Sequence, residues 1–193
     1  MQYPRRVSTT LPYLVFSREA DIDYLLARMI HFLGHGFIGR AGFFAHQACE
    51  KYMKAVMVQN TGAYLETHKL PKLASACSEF EAYFAEQSTI TTVRIFDTFE
   101  QVGRYGGAAN FDPLATVARG KKITAGTTLW LGHYLDLLDE FAFKITGMLG
   151  HTLKPILEDD TQHSWLLATW KGERPLKLVL TQQNRYFKEL TDC

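Results

Sequence analysis

The sequence predicts an all-α protein: an up-and-down bundle of about five helices, followed by a small C-terminal hairpin or irregular extension. Long segments repeat apolar residues at the three- and four-residue spacing of one helical face. Glycine, proline and asparagine separate these segments. Because 193 residues suffice for one good core, we expect one helical bundle over residues 17–150 and an extension over 151–193 packed on it.

The first two helices are predicted over residues 19–33 and 40–59. Ser17 is the expected N-cap of the first helix, because its hydroxyl can accept a hydrogen bond from a free backbone N–H. Asn60 and Gly62 end the second helix. On the first helix the following apolar residues share one face: Ile22, Leu25, Leu26, Met29, Ile30 and Leu33.

The remaining helices follow the same spacing. The third is predicted to begin near Pro71, since proline is tolerated in a first helical turn, and to end near Gln87. The fourth is predicted over 89–102 and the fifth, the longest, over 124–149. Beyond Pro155 a short apolar run, a turn and an alternating segment indicate a hairpin or an irregular flap.

Composition limits the possible functions. A formal net charge of +1 excludes a bulk electrostatic partnership with nucleic acid or an anionic membrane, so such binding requires a local patch. Cys49, Cys77 and Cys193 are odd in number, and the first two occupy apolar helical positions, which favours reduced thiols in a cytoplasmic protein. We predict no signal peptide and no membrane span, because no uncharged apolar run approaches about 20 residues.

Three side chains on the second predicted helix are candidates for chemistry. His46, Glu50 and Lys54 lie four residues apart and therefore on one helical face. A metal or acid/base pair is one interpretation of this spacing. The sequence favours the other, a solvated face with charge pairing one turn apart.

A similar stripe occurs on the fifth predicted helix, where His133, Asp136 and Glu140 could present three metal ligands. Without a second cluster to complete a coordination shell, we interpret them as surface residues. The sequence has no nucleophile elbow, phosphate loop, dinucleotide fingerprint or paired-cysteine spacing. We therefore predict no metal and no cofactor.

The segment 104–122 is the strongest candidate for ligand binding. Four basic residues against Asp112 give it a local charge of +3, and its glycines allow close backbone approach. It leads into the N-terminus of the fifth helix, which attracts anions. The alternative is a solvated interhelical loop. The predicted nucleotide- or phosphate-binding residues are Arg104, Tyr105, Asn110, Arg119, Lys121 and Lys122.

Three stretches, at 43–55, 67–70 and 103–105, resemble the HEPN family of small helical bundles linked to nucleotides and RNA. The first carries Gln-Ala-x-Glu-Lys-x-x-Lys-Ala, the second Thr-His-x-Leu and the third an Arg-Tyr element. With the fifth helix, the resemblance covers about residues 19–149. It implies a homodimer that binds nucleotide or RNA, or that partners a nucleotidyltransferase-type protein in a paired system of the toxin–antitoxin kind.

Catalytically active HEPN members are metal-independent ribonucleases that use an arginine followed, after four to six intervening residues, by a histidine. Here Arg104 is present, but Asn110 stands after five intervening residues, and an amide cannot act as a general base near neutral pH. The resemblance therefore implies binding without strong ribonuclease activity. Two alternatives remain: an endoribonuclease toxin in which His68 or His133 replaces the usual histidine, and a structural dimerisation module.

Overall fold

The computed structural model describes residues 5–6, 12–32, 38–100, 127–151, 153 and 179–187. This part of the chain is mostly helical, which confirms the predicted all-α class. Its five main helices are α1 (Pro12–Phe32), α2 (Ile38–Thr61), α3 (Leu70–Cys77), α4 (Gln87–Asp97) and α5 (Thr127–Leu149). Among the described helices, none is both long and apolar enough to cross a membrane.

The predicted start of the first helix is wrong. Helix α1 begins at Pro12, and Ser17 lies inside it with its hydroxyl donating to the Leu14 carbonyl at 3.1 Å. Proline suits a first helical turn because its fixed φ is helical and its missing N–H would have no partner there. The first turns also bring Tyr13 and Phe16 onto the core, so burial supports the longer helix.

The predicted third helix is divided in two. Helix α3 ends at Cys77, and the backbone is extended at Glu81 and again at Glu86, on either side of a 3-10 turn at Ala82–Ala85. Near the end of α3 the Ser78 hydroxyl donates to the Ser75 carbonyl, a local bond that competes with helix continuation. Apolar residues beyond Cys77 still pack on the core, which explains why their spacing resembled one long helix.

Helix α2 lies at the centre of the bundle. It packs against α1, α3, α4 and α5, and its C-terminal end contacts β2 (Ala63–Tyr64). That strand pairs antiparallel with β1 (Arg5–Arg6) in a two-stranded ladder. Every residue over 52–58 is buried, so no face of this part of α2 is open to solvent.

Residues 179–187, the described part of the predicted extension, pack on α1 and α5. The Arg28 guanidinium, fully buried, contacts the Asp139 carboxylate and donates to the backbone carbonyls of Val179 and Gln182. Asn184 donates to the Tyr24 hydroxyl at 2.9 Å. The predicted hairpin or irregular flap covers residues 165–180, of which 165–178 lie outside the described residues. Val179 and Leu180 are helical, so a β-strand that reaches Leu180 is wrong.

Candidate functional site

Helix α2 buries the three side chains that the sequence assigned to a solvated face. His46, Glu50 and Lys54 are 0%, 5% and 7% exposed, so the interpretation of a solvated face is wrong. The cause is the central position of α2, which other elements contact on several sides. The charge pairing itself is present, because Lys54 Nζ donates to Glu50 Oε1 at 2.7 Å.

Lys54 is held on two sides. Its ammonium contacts Glu50 and also lies over the Tyr64 ring, 5.5 Å from the ring centroid. Tyr64 belongs to β2, the strand that follows α2. A cation near an aromatic face is stabilised electrostatically, and more strongly when both groups are removed from water. The buried ammonium therefore has a charge partner and an aromatic partner.

Glu50 also contacts His68, in the connection between β2 and α3. The His68 Nδ1 atom lies 3.0 Å and 3.1 Å from the two carboxylate oxygens of Glu50. The His68 side chain is 61% exposed, whereas the Glu50 side chain is only 6% exposed. A buried carboxylate thus fixes an imidazole ring at the protein surface.

The segment that carries His68 is tied to the C-terminal end of α4. Lys69, at the N-cap position of α3, makes no capping hydrogen bond with its side chain. Asp97 takes that role, because its Oδ1 atom accepts a hydrogen bond from Leu70 N–H at 2.9 Å. Burial raises the pKa of Asp97, although this hydrogen bond opposes the shift. Lys69 Nζ donates to Glu100 Oε2 at 2.6 Å, and this bond raises the pKa of Lys69.

These contacts bring residues from three regions to one surface. Glu50 comes from the middle of α2, His68 and Lys69 from the connection before α3, and Glu100 from just beyond α4. We call the surface formed by His68, Lys69 and Glu100 the α3/α4 face. It contains an oriented imidazole beside an ion pair, a combination suited to contacting a polar ligand.

Comparison with known families gives one match. The model of the HEPN domain matches residues 19–125, more than half of the 193-residue chain. The chain belongs to the HEPN domain family. Membership indicates a function related to nucleotides or RNA. Searches of curated proteins and of solved structures each returned no match.

The segment of this HEPN protein that carries the predicted ligand contacts lies outside the described residues. It includes Arg104, Tyr105, Asn110, Arg119, Lys121 and Lys122, and their roles stay predictions. His133 belongs to α5, but its side chain is also outside the described part. Of the two histidines proposed as replacement bases, only His68 therefore has a described environment.

The other residues of the predicted α5 stripe lie near the C-terminal segment. Asp136 pairs with Arg185 at 2.7 Å, in an exposed ion pair. Glu140 is half-buried. Across the described ranges, no group of three or more His, Cys, Asp or Glu side chains is arranged to hold a metal ion.

Sequence reasoning missed the roles of Asp97 and Glu100. Asp97 contacts Leu70, which is 27 positions away in the sequence, and Glu100 contacts Lys69, which is 31 positions away. Periodicity reports neighbours within one element and carries no information on such pairs. The available signal was chemical: a helix whose N-cap position holds lysine requires an acceptor from another part of the chain.

Proposed function

We propose that this HEPN-domain protein binds a phosphate group of a nucleotide or RNA at the α3/α4 face together with Arg104. The Lys69–Glu100 contact carries the proposal, because Glu100 precedes Arg104 by four positions in the sequence. Three residues separate Glu100 from Arg104 in the sequence, which supports assigning both to one site. The basic segment 104–122 supplies the charge that an anion requires.

In this proposal, Arg104 and Asn110 bind the ligand and do not catalyse RNA cleavage. Arginine stabilises negative charge and an amide forms hydrogen bonds, but neither accepts a proton near neutral pH. A ligand would therefore be held at these residues and not cleaved by them. We further propose that the protein is a homodimer and that it pairs with a nucleotidyltransferase-type protein, as in toxin–antitoxin systems.

Binding of a short fluorescent RNA, measured by anisotropy at several salt concentrations, tests the proposal. We expect Arg104→Ala to weaken RNA binding and to leave the helical circular dichroism signal unchanged. The affinity should also depend less steeply on salt concentration, by the amount that corresponds to about one phosphate contact. Arg94→Ala is the matched control, since Arg94 is an exposed arginine on α4. Equal affinities of the native protein and Arg104→Ala would contradict the proposed site.

One observation favours a second candidate function, a metal-independent endoribonuclease that uses His68 with Arg104. Glu50 orients the exposed His68 ring, and an oriented imidazole is a suitable general base for a ribose 2′-hydroxyl. Incubation of RNA with the native protein and with His68→Ala separates the two functions. Our leading proposal expects intact RNA in both samples, whereas cleavage that disappears in His68→Ala would establish the second.

A purely structural dimerisation module is the remaining alternative. It predicts no saturable binding of RNA, of a ribonucleotide or of inorganic phosphate at physiological salt. A stable dimer with none of these affinities would favour it over both binding and cleavage.

A further inference from the structure

Residues 179–187 dock on the bundle as a short segment with local structure of its own, and we call this segment the strap. It is helical at 179–181. Asn184 then stabilises a turn, because its backbone N–H donates to the Thr181 carbonyl at 3.1 Å and its Oδ1 atom accepts a hydrogen bond from Tyr186 N–H at 3.1 Å. Both bonds lie within the strap and require no residue of the bundle.

Two side chains of α1 bind the strap through hydrogen bonds. Arg28 Nε donates to the Val179 carbonyl at 2.8 Å, and a second nitrogen of the same guanidinium donates to the Gln182 carbonyl. The Tyr24 hydroxyl accepts a hydrogen bond from Asn184 Nδ2 at 2.9 Å. The bonds to carbonyls do not depend on which side chains the strap carries, whereas the bond to Tyr24 requires a donor at position 184.

Apolar side chains of the strap are buried on the same surface. Val179, Leu180 and Phe187 are all buried. The Phe187 ring contacts Tyr24 of α1, with ring centroids 5.9 Å apart, and Phe143 of α5, with ring centroids 5.6 Å apart. Sites that recognise peptides combine pockets for apolar anchors with hydrogen bonds to the peptide backbone. The surface under the strap has both features.

The polar part of this surface is complete without the strap. The Asp139 carboxylate pairs with Arg28 and accepts a hydrogen bond from the Tyr24 hydroxyl at 2.7 Å. These contacts join α1 to α5 and use no atom of residues 179–187. Undocking of the strap would therefore leave the buried charges paired, and water could satisfy the polar groups that it uncovers. The surface can thus persist when the strap is undocked.

We propose that Tyr24, Arg28, Asp139 and Phe143 form a peptide-recognition site and that the strap of this chain is its displaceable occupant. The recognised pattern is two adjacent apolar residues, an asparagine four positions later and an aromatic residue three positions after that. A free peptide of this pattern should compete with the strap for the one site.

The test measures binding of a labelled synthetic peptide of residues 179–193 to the full chain by fluorescence anisotropy, with no RNA present. The native protein should bind the peptide weakly, because its own strap fills the site. A strap variant, Asn184→Ala with Phe187→Ala, should bind it about tenfold or more tightly than the native protein does, since the truncated strap competes poorly. Arg185→Ala is the matched control: its ion pair with Asp136 is exposed, so it should bind the peptide as the native protein does.

Two further variants locate the contact. A peptide that carries the same two alanines should not bind the strap variant. Adding Tyr24→Phe to the strap variant should weaken binding of the native peptide about threefold to tenfold, because Asn184 of the peptide loses its acceptor. Circular dichroism checks that each variant is folded.

If the strap variant does not fold, a full chain with a protease site inserted between residues 160 and 161 decides instead. After cleavage, the C-terminal fragment should stay bound and should exchange for excess labelled peptide, as native mass spectrometry can measure. A fragment that never exchanges would overturn the proposal, because the strap would then be a fixed part of the core.

A folded strap variant that does not bind the peptide would also overturn the proposal. So would equal binding by the native protein and the strap variant, or equal binding of the native and the alanine-substituted peptide. Because these measurements contain no RNA, their result is independent of the proposed phosphate-binding function.

Discussion

The ring of Phe99 occupies the space into which a side chain on Gly42 would project. A Cβ atom added at Gly42 would lie 2.1 Å from the Phe99 Cδ1 atom, well inside contact distance. Phe99 is buried and also packs edge-to-face against Tyr134, with ring centroids 5.6 Å apart. This close approach fixes the position of the chain just beyond α4, next to Glu100.

Gly42→Ala should therefore lower the free energy of unfolding by about 1–3 kcal/mol, the usual cost of overpacking a core. Gly147→Ala is the control, because Gly147 lies in α5 and an added Cβ would meet no atom within 4 Å among the described residues. Alanine should stabilise that helical position by about 0.5–1 kcal/mol. Urea denaturation of both variants measures the difference, and a neutral Gly42→Ala would show that Phe99 moves without cost.

The buried Arg28–Asp139 pair should behave as a unit that anchors residues 179–187. Arg28→Ala leaves the Asp139 carboxylate buried without its cation, so we expect a loss of about 3–5 kcal/mol in the free energy of unfolding. The double variant Arg28→Met, Asp139→Leu should recover much of this loss, since neither charge remains. Additive losses in the double variant would contradict this account of the pair.

Cys49 and Cys77 should be unreactive in the native protein. Both thiols are free and buried, and burial raises the pKa of each, which suppresses the reactive thiolate. In a Cys193→Ser background, we expect no reaction with a thiol reagent at mildly alkaline pH until denaturant is added. Rapid labelling of the folded variant would show that one of these helices opens readily.

The protein should form a two-fold symmetric dimer at micromolar concentration. The expectation follows from the HEPN assignment, since HEPN domains often dimerise. Sedimentation equilibrium measures the mass directly and should return twice the mass of one chain. The mass of a single chain over the whole micromolar range would exclude this dimer.

The helical architecture could be predicted because apolar spacing identifies a buried face without knowledge of its partner. The same spacing failed at two boundaries. Ser17 resembled an N-cap, yet Pro12 begins α1, and the apolar residues beyond Cys77 resembled a continuing helix where the backbone turns. At the first boundary, residues before the predicted element are buried and favour the longer helix; at the second, residues within the predicted element are buried although the backbone is no longer α-helical. A linear pattern contains neither piece of information.

The candidate site was predictable only in part. The four-residue spacing of Glu50 and Lys54 identified their pairing, and the HEPN resemblance singled out His68. Their burial followed from the central position of α2, which depends on how all the helices pack. The link between Lys69 and Glu100 joins segments 31 residues apart, and no local pattern encodes it.

Photo-crosslinking of the full chain to short RNA containing 4-thiouridine tests the central claim most directly, because mass spectrometry then identifies the residues that touch the ligand. We predict crosslinked peptides that contain His68 and Lys69 and others that contain Arg104, all suppressed by excess unmodified RNA. Crosslinks confined to a distant surface, such as that of Arg185 and Tyr186, would contradict the account, as would the absence of any crosslink that unmodified RNA suppresses.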